Sequence, residues 1–257
     1  MTASRDLLNP CLAVPSTQLQ VDDPKPHSSI KQWGALCRIR AAIAWRLRAV
    51  LGLHLYGIYT RALSEPDAEP PDERLGYSHR IFEPTDVDIL LASAGNPRLS
   101  LGTEIVRAAF AKGDACSAVF FNGELISYKW MAFTPTHDAH GVYVDFSAKH
   151  RYGYKAFTLP EFRGRHVIRL FTAAVDRYCV RRGRVSKISF IAIENDSSMR
   201  FSLGTGNKRI GFAGYLKLGS LFIPFRTSRV RAEGFKFFMP RDGRAPARSQ
   251  SRGSAPV

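Results

Sequence analysis

The spacing of hydrophobic residues along the chain predicts a mixed α+β protein. Apolar residues at every second position or in short continuous runs indicate strands, and steps of three and four indicate amphipathic helices. Strands are predicted at residues 54–63, 116–121, 125–133, 141–146, 152–159, 187–193, 212–218 and 229–238. Helices are predicted at residues 30–51, 87–94, 99–112, 165–182 and 196–203. After the first helix, the expected order is a strand, two helices, three or four antiparallel strands, a helix, a strand, a helix and two strands.

The connection between residues 116–121 and 125–133 is the strongest local signal. Asn122 and Gly123 separate two apolar runs, and both residue types accept the positive φ angles of a type I′ turn. We therefore expect a β-hairpin here. Residues 187–193 are almost entirely apolar, which is typical of a strand covered on both faces.

Composition divides the chain into four segments. Residues 1–29 contain several prolines and little periodicity, so they are interpreted as a disordered leader. A basic helix at 30–51 precedes a folded domain at 52–239. Residues 240–257 are rich in Ser, Pro, Gly and Arg, which predicts a disordered basic tail.

The basic helix at residues 30–51 has three interpretations. It packs against the domain, makes peripheral contact with a membrane surface, or binds anions. Arg40 interrupts the apolar stripe of this helix, and the helix leads directly into the first strand. Both features favour packing against the domain.

The net charge and the cysteine content limit which binding partners and which cellular compartment are expected. The formal net charge of +15, from 37 Lys and Arg against 22 Asp and Glu, favours polyanions such as CoA phosphates, nucleic acids or acidic lipids. The aromatic and basic repeats of RNA-binding modules are missing, so no specific nucleic acid is expected. The cysteines form no C-x-x-C pair, and His137, Asp138 and His140 lack further ligands, so we expect an ordinary polar loop and no metal site. Without a secretory signal or a long apolar run, the expected location is cytoplasmic.

Residues 157–169 place a proline and a short Arg/Gly turn between a predicted strand and a predicted helix. The first N–H groups of a helix lack partners and the helix dipole is positive at that end, so an anion can bind there. Gly164 would let a ligand approach the backbone closely. Arg163 and Arg165 oppose the dipole unless an anion is present, which favours a phosphate ligand over a solvated helix terminus.

Two motifs resemble those of the GNAT superfamily of acyl-CoA-dependent N-acyltransferases. The sequence Leu-Pro-Glu-Phe-Arg-Gly-Arg at residues 159–165 is similar to the superfamily's pyrophosphate-binding signature. Residues 193–200, followed by 208–212, resemble its Asn-x-x-Ser and Gly-Phe elements. The resemblance covers roughly residues 80–238, and the two motifs in their expected order are more specific than either alone.

The resemblance implies a fold, a co-substrate and a reaction. The fold is a GNAT-like α+β fold: a mixed, mostly antiparallel central sheet of about seven strands flanked by helices, with a splay between the fourth and fifth strands. The co-substrate is acetyl-CoA or another acyl-CoA, and the acceptor is the primary amine of a small molecule, an amino sugar or a peptide. In the superfamily the thioester lies at the splay, here residues 155–159 and 189–194, where backbone donors polarise its oxygen.

The resemblance also implies which residues contact the acyl-CoA. They are Phe157, Thr158, Leu159, Arg163, Gly164, Arg165, His166, Val167, Asn195 and Ser198. For Asn195 the alternative is a helix N-cap, and for Ser198 a hydroxyl bonded to the first helical turn. Superfamily members have Gly and a small residue where this chain has His166 and Ile168. A relative that keeps the fold as a binding or scaffolding module is therefore a second interpretation, and a basic protein that binds anionic surfaces is a third.

Attack of an amine on a thioester needs a general base and, for the departing thiolate, a general acid. Glu194, at the end of the fifth strand, and Asp145, on a central strand, are the candidate bases. A solvated or capping carboxylate is the alternative for Glu194, and a strand ion pair is the alternative for Asp145. Tyr128 and Tyr215 are the candidate acids, with packed core positions as their alternative.

Overall fold

Strands in the described part of the chain form two sheets. The structure is a computed structural model and describes residues 42–43, 46–64, 76–93, 97–138, 141–165 and 167–240. Its strands are β1 (Leu53–Ala62), β2 (Tyr77–Phe82), β3 (Ala115–Phe121), β4 (Glu124–Ala132), β5 (Thr136–His137), β6 (Tyr143–Asp145), β7 (His150–Thr158), β8 (Ser186–Ala192), β9 (Lys208–Leu218), β10 (Leu221–Arg226) and β11 (Lys236–Phe238). Eight of them form the main sheet, in the order β10-β9-β1-β8-β7-β4-β3-β2, and three form a small sheet in the order β11-β6-β5.

Short helices connect these strands. They are α1 (Val87–Ser93), α2 (Thr103–Ala111), α3 (Val167–Leu170), α4 (Thr172–Arg181), α5 (Asp196–Gly204) and α6 (Ser228–Ala232). Single 3₁₀ turns lie at Pro84–Asp86, Pro97–Leu99 and Pro160–Phe162. Residues 46–51 are also helical and lead into β1. Among the described helices, none has the length and the apolar character needed to cross a membrane.

Three predicted segments lie wholly or mainly outside the described residues. They are the leader at 1–29, most of the basic helix at 30–51, and the tail at 240–257. All described residues belong to one unit.

The predicted hairpin is confirmed. β3 and β4 pair antiparallel and are joined by Asn122 and Gly123, whose φ angles are 49° and 83°. Both angles are positive, as a type I′ turn requires. The turn sets the pairing of Phe121 with Glu124, and one register shift between Val119 and Phe120 precedes the pairing of Ala115 with Met131 at the far end.

The predicted splay is also confirmed, between β7 and β8. These two strands run parallel, and they pair only from His150↔Ser186 to Tyr152↔Ile188. Beyond this point β7 continues to Thr158 and β8 to Ala192 without pairing to each other. Lys155 lies at an irregularity of the β4–β7 register and has a φ of 41°. A bulge of this kind bends its strand, so it helps to turn β7 away from β8.

The first strand lies in the interior of the main sheet, which its position in the chain did not indicate. β1 lies between β8 and β9 and pairs antiparallel with both. The sequence predictions also missed the two edge strands, β2 and β10. β10 contains Pro224, which cannot donate to a neighbouring strand and is tolerated because it lies on an edge.

Two predicted elements are wrong in detail. The helix predicted at 165–182 is interrupted at Phe171, whose ψ of 13° separates α3 from α4. The strand predicted at 229–238 is instead α6 followed by β11. The apolar Val230 between two arginines looked like strand alternation, but Val230 is the buried side of one short helical turn, and Gly234, with a φ of 70°, ends it.

The two faces of the main sheet at the splay differ in character. Successive residues of a strand point to opposite faces. Tyr152 and Ile188 point into a core that also contains Tyr56, Tyr215 and residues of the small sheet, and we call this side the aromatic face. Arg151 and Lys187 point to the other side, which is covered by α4 and which we call the helix face.

Candidate active site at the strand splay

The splay leaves a wedge between the second halves of β7 and β8. Ala156 is exposed on β7, and Phe190 to Ala192 are partly exposed on β8. Leu159 donates its backbone N–H to Ile126 of β4 at 2.9 Å. Because successive residues of an antiparallel strand alternate their hydrogen-bonding direction, the N–H and C=O of Thr158 point to the side that β8 has left. The wedge is therefore lined by backbone groups that a ligand can reach.

A turn rich in arginine follows β7 directly. Gly164 has a φ of 77°, and no heavy atom lies within 4 Å of the place where a side chain would begin. Arg163 and Arg165 are exposed, and their guanidinium carbons lie 5.6 Å from the ring of Phe157 and 5.4 Å from the ring of Phe162. Arg163 also donates from Nε to the carbonyl oxygen of Thr158 at 2.9 Å. Open backbone and two held cations fit an anionic group at the end of the wedge.

The other residues predicted near the phosphates differ in which of their atoms a ligand can reach. Leu159 and Val167 are buried in the core, so only their backbone groups can face a ligand. The Thr158 hydroxyl lies 2.8 Å from the hydroxyl of Ser127, which ties β7 to β4. Ile168 packs against the same core as Val167. His166 lies outside the described residues.

Asn195 caps α5. Its side-chain oxygen accepts hydrogen bonds from the backbone N–H of Ser198 and from the hydroxyl of Ser197, both at 3.0 Å. These contacts match the helix N-cap interpretation of Asn195, and they use the backbone rather than the hydroxyl of Ser198. Both residues follow β8 and thus lie at the β8 side of the wedge.

Glu194 lies next to a small cavity at the end of β8. The cavity has a volume of about 30 Å³, room for about one water molecule, and is lined by residues of the helical segment 46–51, the start of β1 and the turn after β8. Arg48 approaches Glu194 at 3.6 Å between Nη1 and Oε1. Glu194 is therefore close to the wedge and also faces a cation.

Asp145 lies outside the main sheet. The sequence placed it on a central strand, but it belongs to β6 of the small sheet, where Lys236 approaches it at 3.4 Å. Its Oδ1 accepts the backbone N–H of Phe146 at 2.8 Å. The two predicted bases thus lie on different sheets, and each faces a cation.

The two predicted acids are packed residues. Tyr128 is buried on β4 and stacks on Phe157 at 6.0 Å, and burial raises its pKa to about 12. Tyr215 is buried on β9 and stacks on His54 at 4.5 Å, and burial also raises its pKa. Tyr215 belongs to the aromatic face, so of the two it is the one that joins the group described next.

Asp138, which the sequence analysis placed in an ordinary loop, lies on the aromatic face. Burial raises the pKa of its carboxyl to about 6, and the positive charges of Arg48 and Lys155 oppose that shift. Burial raises the pKa of Tyr152 well above its ordinary value, and the Asp138 carboxylate adds to this effect. The charge of Asp138 thus acts on Tyr56 of β1, Tyr152 of β7 and Tyr215 of β9, all on the aromatic face.

No local signal in the sequence indicated this position. Asp138 follows a strand of two residues, and its contacts are made with segments far away in the chain. A pKa near neutrality in a cleft is nevertheless typical of functional carboxylates.

The mixed, mostly antiparallel sheet and the splay between β7 and β8 agree with the α+β fold that the resemblance in the sequence implied. The chain is similar to the aminoglycoside N-acetyltransferase AAC(6′)-Iy in complex with CoA, with 18% identity and a TM-score of 0.39 over 59% of this chain and 95% of that one. It is also similar to a GCN5-related N-acetyltransferase from Kribbella flavida, with 11% identity and a TM-score of 0.40 over 60% of this chain and 54% of that one. A Drosophila protein solved by structural genomics matches with 15% identity and a TM-score of 0.42 over 70% of this chain and 56% of its own.

Similarity of this degree concerns the fold and carries no activity to this chain. The sequence matches no protein-family model and no curated protein.

Proposed function

We propose that the protein is an acyl-CoA-dependent N-acyltransferase. It moves an acyl group, with acetyl as the simplest case, from CoA to the primary amine of a small molecule, an amino sugar or a peptide. The observation that carries this proposal is the open wedge between β7 and β8, which ends at a turn with exposed arginines. In this arrangement a chain-like thioester lies between the strands while its phosphates lie at the turn.

The transfer takes place in a ternary complex. The amine nitrogen forms a bond to the thioester carbonyl carbon, and the carbon–sulfur bond breaks with its electron pair leaving on sulfur. Backbone groups of β7 that face the wedge, including the N–H of Thr158, hold the ligand along the strand, and those nearest the base of the wedge meet the developing oxyanion. Arg163, Arg165 and the open backbone at Gly164 bind the diphosphate.

Within this proposal Asp138 is the general base. An ammonium group must lose a proton before it attacks, and a carboxylate with a pKa of about 6 is ionised at neutral pH and still basic enough to accept that proton. Glu194 and Asp145 each have a cation within 4 Å that favours the charged form. For Asp138 the effect of burial outweighs that of Arg48 and Lys155. Tyr215, on the same face as Asp138, remains the proposed acid for the thiolate.

Calorimetric titration with acetyl-CoA and longer acyl-CoAs tests the proposal. Gly164→Val places a β-branched residue at a φ of 77° and fills the open backbone, so we expect at least about tenfold weaker binding. Gly183→Val is the matched control, because Gly183 has a φ of 72° and an open surround but lies after α4, away from the turn. If the wild-type protein binds no acyl-CoA at millimolar concentration, the transferase proposal is wrong.

The second interpretation, a fold kept as a binding or scaffolding module, rests on His166. The side chain of Ile168, the other departure from the superfamily pattern, packs against the core. The variant His166→Gly separates the two interpretations. A large gain in CoA affinity would show that His166 weakens CoA binding in the natural chain and would favour the binding or scaffolding module. Unchanged affinity leaves the transferase interpretation in place.

A further inference from the structure

A row of four cations crosses the middle of the main sheet on its helix face. Arg151 of β7 is in register with Lys187 of β8, and Lys187 is in register with Arg61 of β1, so the three side chains are neighbours on one face. Lys129 of β4 extends the row. Lys129 and Arg151 both lie over Gly153. A Cβ atom at that position would be 3.1 Å from Cε of Lys129 and 3.5 Å from Nη1 of Arg151. We call Lys129, Arg151, Lys187 and Arg61 the cation row.

The cation row has little compensating charge. Among the residues that the structure describes, the carboxylate in contact with it is that of Asp176 on α4, which lies 2.7 Å from Arg61 and 3.8 Å from Arg151. Cys179, one turn further along α4, also faces the row, and burial raises the pKa of its thiol. One carboxylate and one neutral thiol therefore face two arginines and two lysines. Like charges placed side by side on a sheet are destabilising unless an anion joins them.

Arg151 gives the clearest evidence for an anion site. Its side chain is 2% exposed, and its Nε and Nη1 atoms have no hydrogen-bond partner. Buried donors without partners are rare in proteins, because each costs the desolvation energy that a hydrogen bond would recover. A small anion placed beside Arg151 would accept hydrogen bonds from both donors and would compensate the surplus positive charge.

Burial and neighbouring charges also destabilise the protonated forms of the two lysines. Burial, followed by the charge of Arg151, lowers the pKa of Lys129 to about 7. Burial and the neighbouring cations also lower the pKa of Lys187 well below its ordinary value. Lys129 and Arg61 keep part of their surface in contact with solvent, so the row is not sealed.

The cation row lies at the base of the wedge. Arg151 and Lys187 form the middle of the three paired positions of β7 and β8, and the strands separate one residue later. Gly153 and Ser189 follow on the same face, and the absence of a side chain at Gly153 lets Lys129 pack directly over the backbone of β7. The reacting end of a ligand that enters the wedge would thus lie next to the row.

We propose that the cation row binds a carboxylate of the substrate. This proposal rests on the proposed transferase function, which places the substrate in the wedge. The carboxylate belongs either to the acyl group, as in a dicarboxylic acyl-CoA, or to an amino-acid-like acceptor. The anion site itself does not depend on that function, since it follows from the buried charges alone.

Thermal unfolding of the full chain with and without malonate tests the anion site. At pH 6.5 we expect malonate to raise the unfolding temperature of the wild type, and the gain should shrink as the pH rises above about 7 because Lys129 loses its proton. Lys129→Met should unfold at a higher temperature than the wild type without malonate, because a buried uncompensated charge is gone, and should lose most of the malonate response.

Lys208→Met is the matched control, since Lys208 is exposed on β9 and its removal changes the net charge equally. Equal malonate responses in the wild type, Lys129→Met and Lys208→Met would overturn the anion site. A destabilised Lys129→Met would also do so, because it would mean that the lysine supports the fold by packing or hydrogen bonding.

Comparison of co-substrates identifies the source of the carboxylate. If it is on the acyl group, malonyl-CoA should bind at least about tenfold more tightly than acetyl-CoA, and Lys129→Met should remove that preference. If it is on the acceptor, an amino acid should be acetylated in preference to the corresponding amine without a carboxylate. Malonate binding without any acyl-CoA binding would keep the anion site and reject the transferase, whereas acyl-CoA binding with neither preference would keep the transferase and reject the substrate carboxylate.

Discussion

The two faces of the sheet at the splay carry opposite chemistry, although the same strands build both. On the helix face, Arg151 and Lys187 belong to the buried cation row under α4. On the aromatic face, one residue further along each strand, Tyr152 and Ile188 pack into a core beside the Asp138 carboxylate. One face is suited to hold an anion and the other to take a proton from an amine. The comparison suggests that the wedge holds a substrate between a fixed positive side and a basic side.

The largest expected effect comes from the aromatic face. Asp138→Asn should lower kcat by about 10²- to 10⁴-fold, because the amine loses its proton acceptor. Steady-state kinetics with an acyl-CoA and a primary amine measure this, and in the wild type kcat/KM should fall as the pH drops through about 6, where Asp138 takes up a proton. Asp88→Asn, on an exposed position of α1, is the control. A larger loss in Glu194→Gln or Asp145→Asn would assign the base to that residue instead.

The helix face should respond most strongly in stability. Asp176→Asn removes the carboxylate that pairs with Arg61 and Arg151, so we expect a loss of about 3–5 kcal/mol in the free energy of unfolding. Urea denaturation measures the change. Glu161→Gln, which breaks the exposed ion pair with Arg98, should have no measurable effect. Equal effects of the two substitutions would contradict the buried charge imbalance.

The pH dependence of stability distinguishes the faces further. Lys129 has a lowered pKa of about 7 in the folded protein, so between pH 7 and about 10 the unfolded chain binds more protons than the folded one. Stability should therefore rise with pH in this window, by on the order of 4 kcal/mol, and the cost of burying the charge is present in full below pH 7. Urea titrations at several pH values should show this slope in the wild type and a clearly smaller slope in Lys129→Met, where Lys187 still contributes.

The smallest effect concerns the hairpin, which is remote from both faces of the wedge. Gly123→Ala introduces a side chain at a φ of 83°, so we expect a loss of about 1 kcal/mol in stability. Acyl-CoA affinity and the malonate response should stay unchanged. A change in either would mean that the wedge is coupled to the distant end of β3 and β4.

Much of the fold could be predicted because it depends on local patterns. Asn122 and Gly123 specify their turn through their own φ preferences, and the apolar runs of β4 and β8 indicate strands wherever they pair. The turn at residues 159–165 was found because an arginine- and glycine-rich motif is contiguous in the chain. Edge strand β10 was missed because Pro224 and its exposed apolar neighbours do not form a strand-like alternation.

The sequence by itself determined the kinds of element, their order and the phosphate-binding motif, since these depend on residues close together along the chain. Only the tertiary structure decided that β1 inserts beside β8, because strand partners are chosen by packing over long separations. That choice places Arg61 against Lys187 and brings Asp138 among side chains of other strands. The charges that define the wedge come together through register between distant strands, and no periodicity within one segment encodes that register.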